Sequence, residues 1–324
     1  MYWRFLIRRV GTLAVNFWIV ATLTFLMFRL LPGDPTAILL DPLMAAEVRE
    51  SILQRFGLDR PLHEQYILYL NNLVHGDFGW SFFYNRPVSE IIWDFLPNTL
   101  VLGFSSLILA YGTGILGGAF LAWKHNTWLG NWGALVPLVF RSAPVFWTGM
   151  MALMFLSYRW GLFPHGGLRS PGYQALGLLD KFLSLDFLHH LVLPAGISAL
   201  YLMGIPMLLT RTSMLDVFGE DFVELARARG FSELRVILVH VLRNALLPVV
   251  TASAVAIGLM IGGNIVVEFV FSWPGIGRQI VLATQNRDFP MAQGIFLVVA
   301  STMMIVNTLA DMAYAYLDPR VVYK

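Results

Sequence analysis

Five stretches of this sequence, residues 10–28, 99–123, 191–210, 244–267 and 289–310, carry no Asp, Glu, Lys or Arg. Each has about 20 residues or slightly more, the length at which an α-helix crosses the roughly 30 Å hydrocarbon core of a bilayer. A sixth run, 132–158, qualifies if its single charge, Arg141, is tolerated. No other feature limits the fold as strongly. In hydrocarbon the backbone cannot bond to water, so segments of this length and polarity must be helical. The expectation is an all-α polytopic membrane protein with six transmembrane helices. Composition removes the soluble alternative. Of 324 residues, 57% are hydrophobic and 13% charged, with a mean hydropathy of +0.66. Soluble domains carry about 25% charged residues, so lipid must be the solvent for much of this surface.

Lys and Arg are about twice as dense in 1–9, 124–131, 211–243 and 311–324 as in 29–98, 159–190 and 268–288. The positive-inside bias then puts both termini and the loop 212–243 in the cytoplasm, and 32–96 outside. The chain divides into 1–31 (N-terminus and first span), 32–96 (an external helical segment) and 97–324 (a core with five spans). The external segment reads as two short amphipathic helices. One begins after Asp41-Pro42 and runs through MAAEVRESILQRF to Gly57. The other begins after Pro61 and runs through LHEQYILYLNNLVH to Gly76. The first apolar run follows Arg8-Arg9, has full span length and lacks an A-x-A site, so it reads as an uncleaved anchor.

Much chemistry is excluded. There are no cysteines, hence no disulfide or thiolate chemistry. The three lysines, Lys124, Lys181 and Lys324, do not follow a glycine, so no G-x-x-x-x-G-K-[ST] phosphate loop exists. No H-E-x-x-H metal motif and no G-x-S-x-G nucleophile motif occurs. His189 and His190 are adjacent, so on a helix they point about 100° apart and suit a metal poorly. The net charge of +2, without a basic block, gives no nucleic-acid signal.

The most charged stretch, EDFVELARARGFSELRVILVHVLRNALLP (220–248), is neither linker nor span. Gly219 ends the helix leaving the fourth span. Glu220 and Asp221 open a new helix at the end where its dipole favours negative charge, and Arg227 and Arg229 close it with the opposite sign. Gly230 is placed for a left-handed C′ residue, with Phe231 as its apolar contact. Ser232 caps a second helix that runs into the fifth span. Ala226, Ala228 and Gly230 are small enough to admit another backbone. The result is a short, stiff, cytoplasm-facing helix tied to a span. Such a device suits transmission of force from a soluble partner, and spacing alone fits an interfacial amphipathic helix equally well.

The stretch resembles the EAA loop of ABC-importer membrane subunits. Glu224, Leu225, Ala226 and Gly230 fall on E-A-A-x-x-x-G, with Leu in place of the middle Ala. A-R-A-R-G-F-S and H-V-L-R-N-A-L-L-P look like the dipeptide/oligopeptide permease branch. LLPGDP (Leu30–Pro35), VVEFVFSWPGIGR (Val266–Arg278) and D-x-x-Y-x-x-L-D-P-R (Asp311–Arg320) agree with it. The resemblance implies a type I importer-like permease in the cell (inner) membrane. Its implied partners are a second homologous permease subunit, two ATP-binding subunits and an extracytoplasmic solute-binding protein. ATP and Mg would belong to the ATP-binding subunits, with no cofactor in this chain. It also implies that Glu220, Asp221, Glu224, Leu225, Ala226, Arg227, Ala228, Arg229 and Gly230 form the ATPase-subunit interface.

Other candidates divide between roles. Arg141 lies about ten residues into its run, roughly 15 Å along a straight helix. A charge there costs about 2.5–3.5 kcal/mol at a helix centre, so it faces protein or water. It either lines the path and meets a substrate carboxylate or pairs internally, with Asp311 as a partner. Pro144 and Asn264 are further path candidates, and Pro206 interrupts the fourth run. Gly114-x-x-x-Gly118 and Gly258-x-x-x-Gly262 allow close helix contact, within the subunit or with a second one. Ser272, Trp273, Pro274 and Gly275 form a tight outer turn suited to a gate or a binding-protein contact. Without the resemblance, an ion-gradient-driven secondary transporter or channel competes, although intramembrane acids are scarce. A membrane-embedded enzyme lacks any catalytic constellation.

Overall fold

The computed structural model describes residues 2–30, 60–173 and 177–317. The expected helix after Asp41-Pro42, most of the Leu30–Pro35 motif and the end of the tail motif lie outside the described residues. So do the Asp311 side chain and the surroundings of Gly258 and Gly262.

Four helices are long and apolar enough to cross a membrane in one piece: Ile7–Arg29, Val88–Trp123, Leu185–Leu202 and Phe289–Leu309. Two bent pairs of helices are together long and apolar enough to do so. Trp128–Ser142 meets Val145–Arg159 at 95°, and Glu233–Ala245 meets Leu247–Ile257 at 52°. The described residues therefore hold four spanning helices, or up to six if each bent pair is one span.

The third run is not the straight helix that 132–158 suggests. Pro144 has no N–H for the Phe140 carbonyl, and its ring drives Ala143 out of the helical region to ψ 138°. The straight-helix depth of Arg141 therefore does not apply. The fourth run is also segmented: Leu185–Leu202 ends at Met203, and Gly204–Phe218 continues beyond the expected end.

The 36-residue helix Val88–Trp123 is the organising element. It packs most extensively on Gly204–Phe218, then on Leu185–Leu202 and Leu247–Gly263. The first of these contacts explains its glycines. A Cβ on Gly118 would lie 2.4 Å from the Met207 carbonyl oxygen, and one on Gly114 would lie 2.8 Å from Pro206 Cγ. This small-residue pair is thus used inside the subunit. Hydroxyls in the spans turn back on their own helices. Ser106 donates to Leu102 O and Thr210 to Pro206 O, both at 2.7 Å. Large side chains such as Ile108 and Leu116 remain exposed, which suits a lipid-facing surface.

The helix Leu62–Val74 forms as expected and ends before Gly76, whose φ is +74°. It lies on the first helix: Tyr66 Oη meets Thr22 Oγ1 at 2.7 Å, and Phe25 touches the rings of Tyr66 and Tyr69. The sequence reading misses the next element, a hairpin pairing Trp80–Ser81 with Arg86–Pro87. Buried Asp288 fastens its turn. The carboxylate accepts from the Ser81 hydroxyl and from the N–H groups of Phe82 and Phe83. It also accepts from Met291 N at 3.3 Å, so one side chain ties the hairpin to the start of the last helix.

Candidate functional site

The charged stretch folds as a helix Asp221–Ala228, held at its C-terminus by a two-bond cap. Gly230 N–H donates to Arg227 O at 2.9 Å and Phe231 N–H to Ala226 O at 3.4 Å, with Gly230 at φ +79°. This is the 5→2 and 6→1 pattern that requires a left-handed residue. Asp221 and Glu224 lie in its first turn and Arg227 in its last. Ser232 occupies the next N-cap but makes no side-chain capping bond. The segment after it is also not one α-helix. Glu233–Arg235 passes into a π-helical stretch, Val236–Val241, before Leu242–Ala245.

The two faces of Asp221–Ala228 differ. Val223 and Ala226 are buried with Met214, Val236, Ile237 and Val241, and with Ala119 and Ala122 of the long central helix. Ala226 is thus buried on the inner face, where its small size serves packing within this chain. Glu220, Asp221, Glu224, Leu225, Arg227, Ala228, Arg229 and Gly230 are exposed. Phe222 and Leu225 stand out beside them, 39% and 53% exposed, one helical turn apart. The reading from sequence did not single out Phe222. The alternation of buried Val223 and Ala226 with exposed Phe222 and Leu225 is the signal that reveals it. Arg227 bonds Glu233 at 3.0 Å, and Arg235 lies 4.6 Å above the Phe231 ring. The first contact ties the last turn of the helix to the segment that follows it, and the second lies within that segment.

The Ser272–Gly277 turn is built around a residue that sequence inspection passed over, Glu268. It lies just beyond the fifth apolar run and is fully buried. Its carboxylate accepts from Arg278 N at 3.0 Å through Oε2, at the N-terminus of the helix Ile276–Gln285, while Oε1 is buried with no hydrogen-bond partner among the described residues. Thr99 accepts from Ile276 N at 2.8 Å, Asn98 Nδ2 donates to Pro274 O at 2.7 Å, and Trp273 Nε1 donates to Asn98 O at 3.0 Å. The glycines of P-G-I-G follow from this arrangement. A Cβ on Gly275 would fall 2.4 Å from the Glu268 carboxyl. Burial pushes that carboxyl up to about 7, against the opposing pull of its hydrogen bonds. Trp273 and Gly275 are buried in this turn. Ser272 is exposed at φ +50°, and Pro274 is half-buried.

The path candidates separate. Arg141 and Pro144 are exposed at the 95° bend. Asn264 is buried between Leu247–Gly263 and Ile265–Val270 and accepts from Ser198 Oγ at 3.3 Å, which joins it to the helix Leu185–Leu202. His189 and His190 bond the carbonyls of Leu162 and Asp186. No group of three His, Asp or Glu among the described residues could hold a metal.

A chain of stacked apolar helices with one charged, capped helix outside them is a multi-pass membrane protein. Its residues 114–323 match the family described as "Binding-protein-dependent transport system inner membrane component", and residues 2–103 match that family's N-terminal membrane component. The chain belongs to this family. It is 36% identical to the "Dipeptide transport system permease protein DppB" of Escherichia coli (strain K12), over 99% of each chain. It is 38% identical to the "Oligopeptide transport system permease protein AppB" of Bacillus subtilis (strain 168), over 94% of each. The "Di/tripeptide transport system permease protein DppB" of Pseudomonas aeruginosa (strain UCBPP-PA14) is 36% identical over 98% of each.

Proposed function

We propose that this chain is one permease half of an ATP-driven, binding-protein-dependent importer of dipeptides or oligopeptides. The names of the relatives above support the substrate class, and the likeness covers nearly the whole chain. In this reading there are six spans, with both termini and 212–243 in the cytoplasm and 32–96 outside. The domains are 1–31, 32–96 and 97–324. A second homologous permease subunit completes the path. Two ATP-binding subunits act on the 220–230 helix and carry the ATP and Mg. An extracytoplasmic solute-binding protein delivers substrate near Ser272 and Pro274.

One observation carries the mechanical part of this reading. The helix Asp221–Ala228 exposes its charged residues together with Phe222 and Leu225, yet its inner face is buried against Ala119, Ala122 and Met214. A rigid displacement of such a helix moves the spans it is packed on, because close-packed interiors transmit strain. The test is Glu224→Lys, which reverses an exposed charge and leaves the buried face intact. The variant should insert normally but retain less of the ATP-binding subunits on copurification and lose uptake. Wild-type copurification and uptake would remove Glu224 from the interface.

A further inference from the structure

Arg141 and Arg211 have no counter-charge among the described residues. Arg141 is exposed at the bend of the third span, and its side chain lies along Gly204, where a Cβ would meet Arg141 Cδ at 3.9 Å. Arg211 is seven residues further along the helix Gly204–Phe218. Seven residues are nearly two full turns, so Arg211 projects from the face that carries Gly204, about 10 Å further along the axis than Gly204 itself. Its Nε is buried with no hydrogen-bond partner among the described residues. Neither arginine has an ion pair among those residues. Their own surroundings in sequence offer none either, since 125–179 and 187–215 contain no Asp or Glu.

Where an unpaired guanidinium lies within the hydrocarbon it is not stable against lipid tails, so the face it occupies there is wet or covered by protein. The bend beside Arg141 points the same way. Pro144 leaves the Phe140 carbonyl without its helical donor, and such a carbonyl is tolerated at membrane depth only where it lines a cavity or meets protein. Two fixed positive charges with no acid between them will hold an anion.

We propose that Arg141 and Arg211 form a two-step track for the C-terminal carboxylate of the peptide, along the Gly204–Phe218 face of the translocation path. The proposal rests on the peptide-importer reading above. Guanidinium groups suit the role because they match a carboxylate with two parallel hydrogen bonds and stay charged throughout. Two weakly engaged sites beside one helix let the carboxylate pass from one to the other, whereas a paired, fully bonded site would trap it.

The test uses the complete transporter in proteoliposomes with saturating, peptide-loaded binding protein. The probes are one tripeptide with a free C-terminus and the same tripeptide as its C-terminal amide. The parent should take up the free acid about tenfold faster than the amide, the value of one charged hydrogen bond. Arg141→Gln should lower free-acid uptake by about that factor and leave amide uptake unchanged, so that the ratio falls towards one. Arg211→Gln should do the same more weakly, because Arg211 is the less exposed of the two. Arg141→Lys should restore most of the preference. An unchanged acid-to-amide ratio in Arg141→Gln, or an equal loss for both peptides, overturns the carboxylate track and leaves Arg141 a structural residue. If the parent imports neither peptide under conditions where it hydrolyses ATP, the peptide reading itself fails, and the track falls with it.

Discussion

Gly230 and Glu268 show what single residues do in this chain. Gly230 holds a φ of +79° with nothing within 4 Å of where its Cβ would be. Space is therefore free, and only backbone conformation forbids a side chain. A β-branched residue there costs about 1–3 kcal/mol of local strain. Gly230→Val should unwind the last turn of Asp221–Ala228, keep membrane insertion and reduce uptake per ATP hydrolysed. Uptake and ATPase activity, both normalised to protein in the membrane, give the answer, and parental coupling would remove the cap from the mechanism. Glu268 is the opposite case, crowded on all sides. Its folded carboxyl titrates near 7 rather than near 4.5. Because the folded value is raised, the fold binds that proton more tightly than the unfolded chain does. Its contribution is then fully present below about 4.5 and is lost as pH rises towards 7. Glu268→Gln should flatten this dependence. In detergent, the unfolding midpoint of the variant relative to the parent should rise between pH 5 and pH 8, and a pH-independent difference would contradict it.

At the scale of elements, the contact between Val88–Trp123 and Gly204–Phe218 depends on glycine at particular places. Gly118 approaches the Met207 carbonyl, a backbone atom that cannot swing aside, whereas Gly112 on the same helix has nothing within 4 Å. Gly118→Ala should destabilise by about 1–3 kcal/mol through overpacking. Gly112→Ala should be neutral or slightly stabilising, since Ala is the better helix former by about 1 kcal/mol. Thermal unfolding of the two variants in one detergent tests the pair, and equal midpoints would refute the assigned contact. The broken third span belongs to this scale too. A prolyl interruption was legible at Pro144, but the 95° angle depends on what Leu135–Ser142 and Val145–Ala152 pack against.

At the scale of the molecule, the proposed orientation follows from Lys and Arg density alone. The chain has no cysteine, so single cysteines report without background. Asn72→Cys and Glu233→Cys, both at exposed positions, separate the two sides. Asn72→Cys should react with an impermeant thiol reagent in intact cells, and Glu233→Cys only after the membrane is opened. The reverse pattern would invert the topology.

The sequence by itself determined the class of fold, because the length of an uncharged run and the insolubility of a bare backbone in lipid are local facts. It also determined the cap at Gly230 and the family motifs, which lie within a few residues of one another. Only the tertiary structure decided which face each residue uses. It turned Ala226 and Trp273 inward, spent Gly114 and Gly118 on contacts within the subunit, and set Glu268 beside Thr99. These outcomes depend on pairs far apart in the chain. In a membrane protein nearly every helix is apolar all round, so periodicity gives little indication of which side is lipid and which is protein.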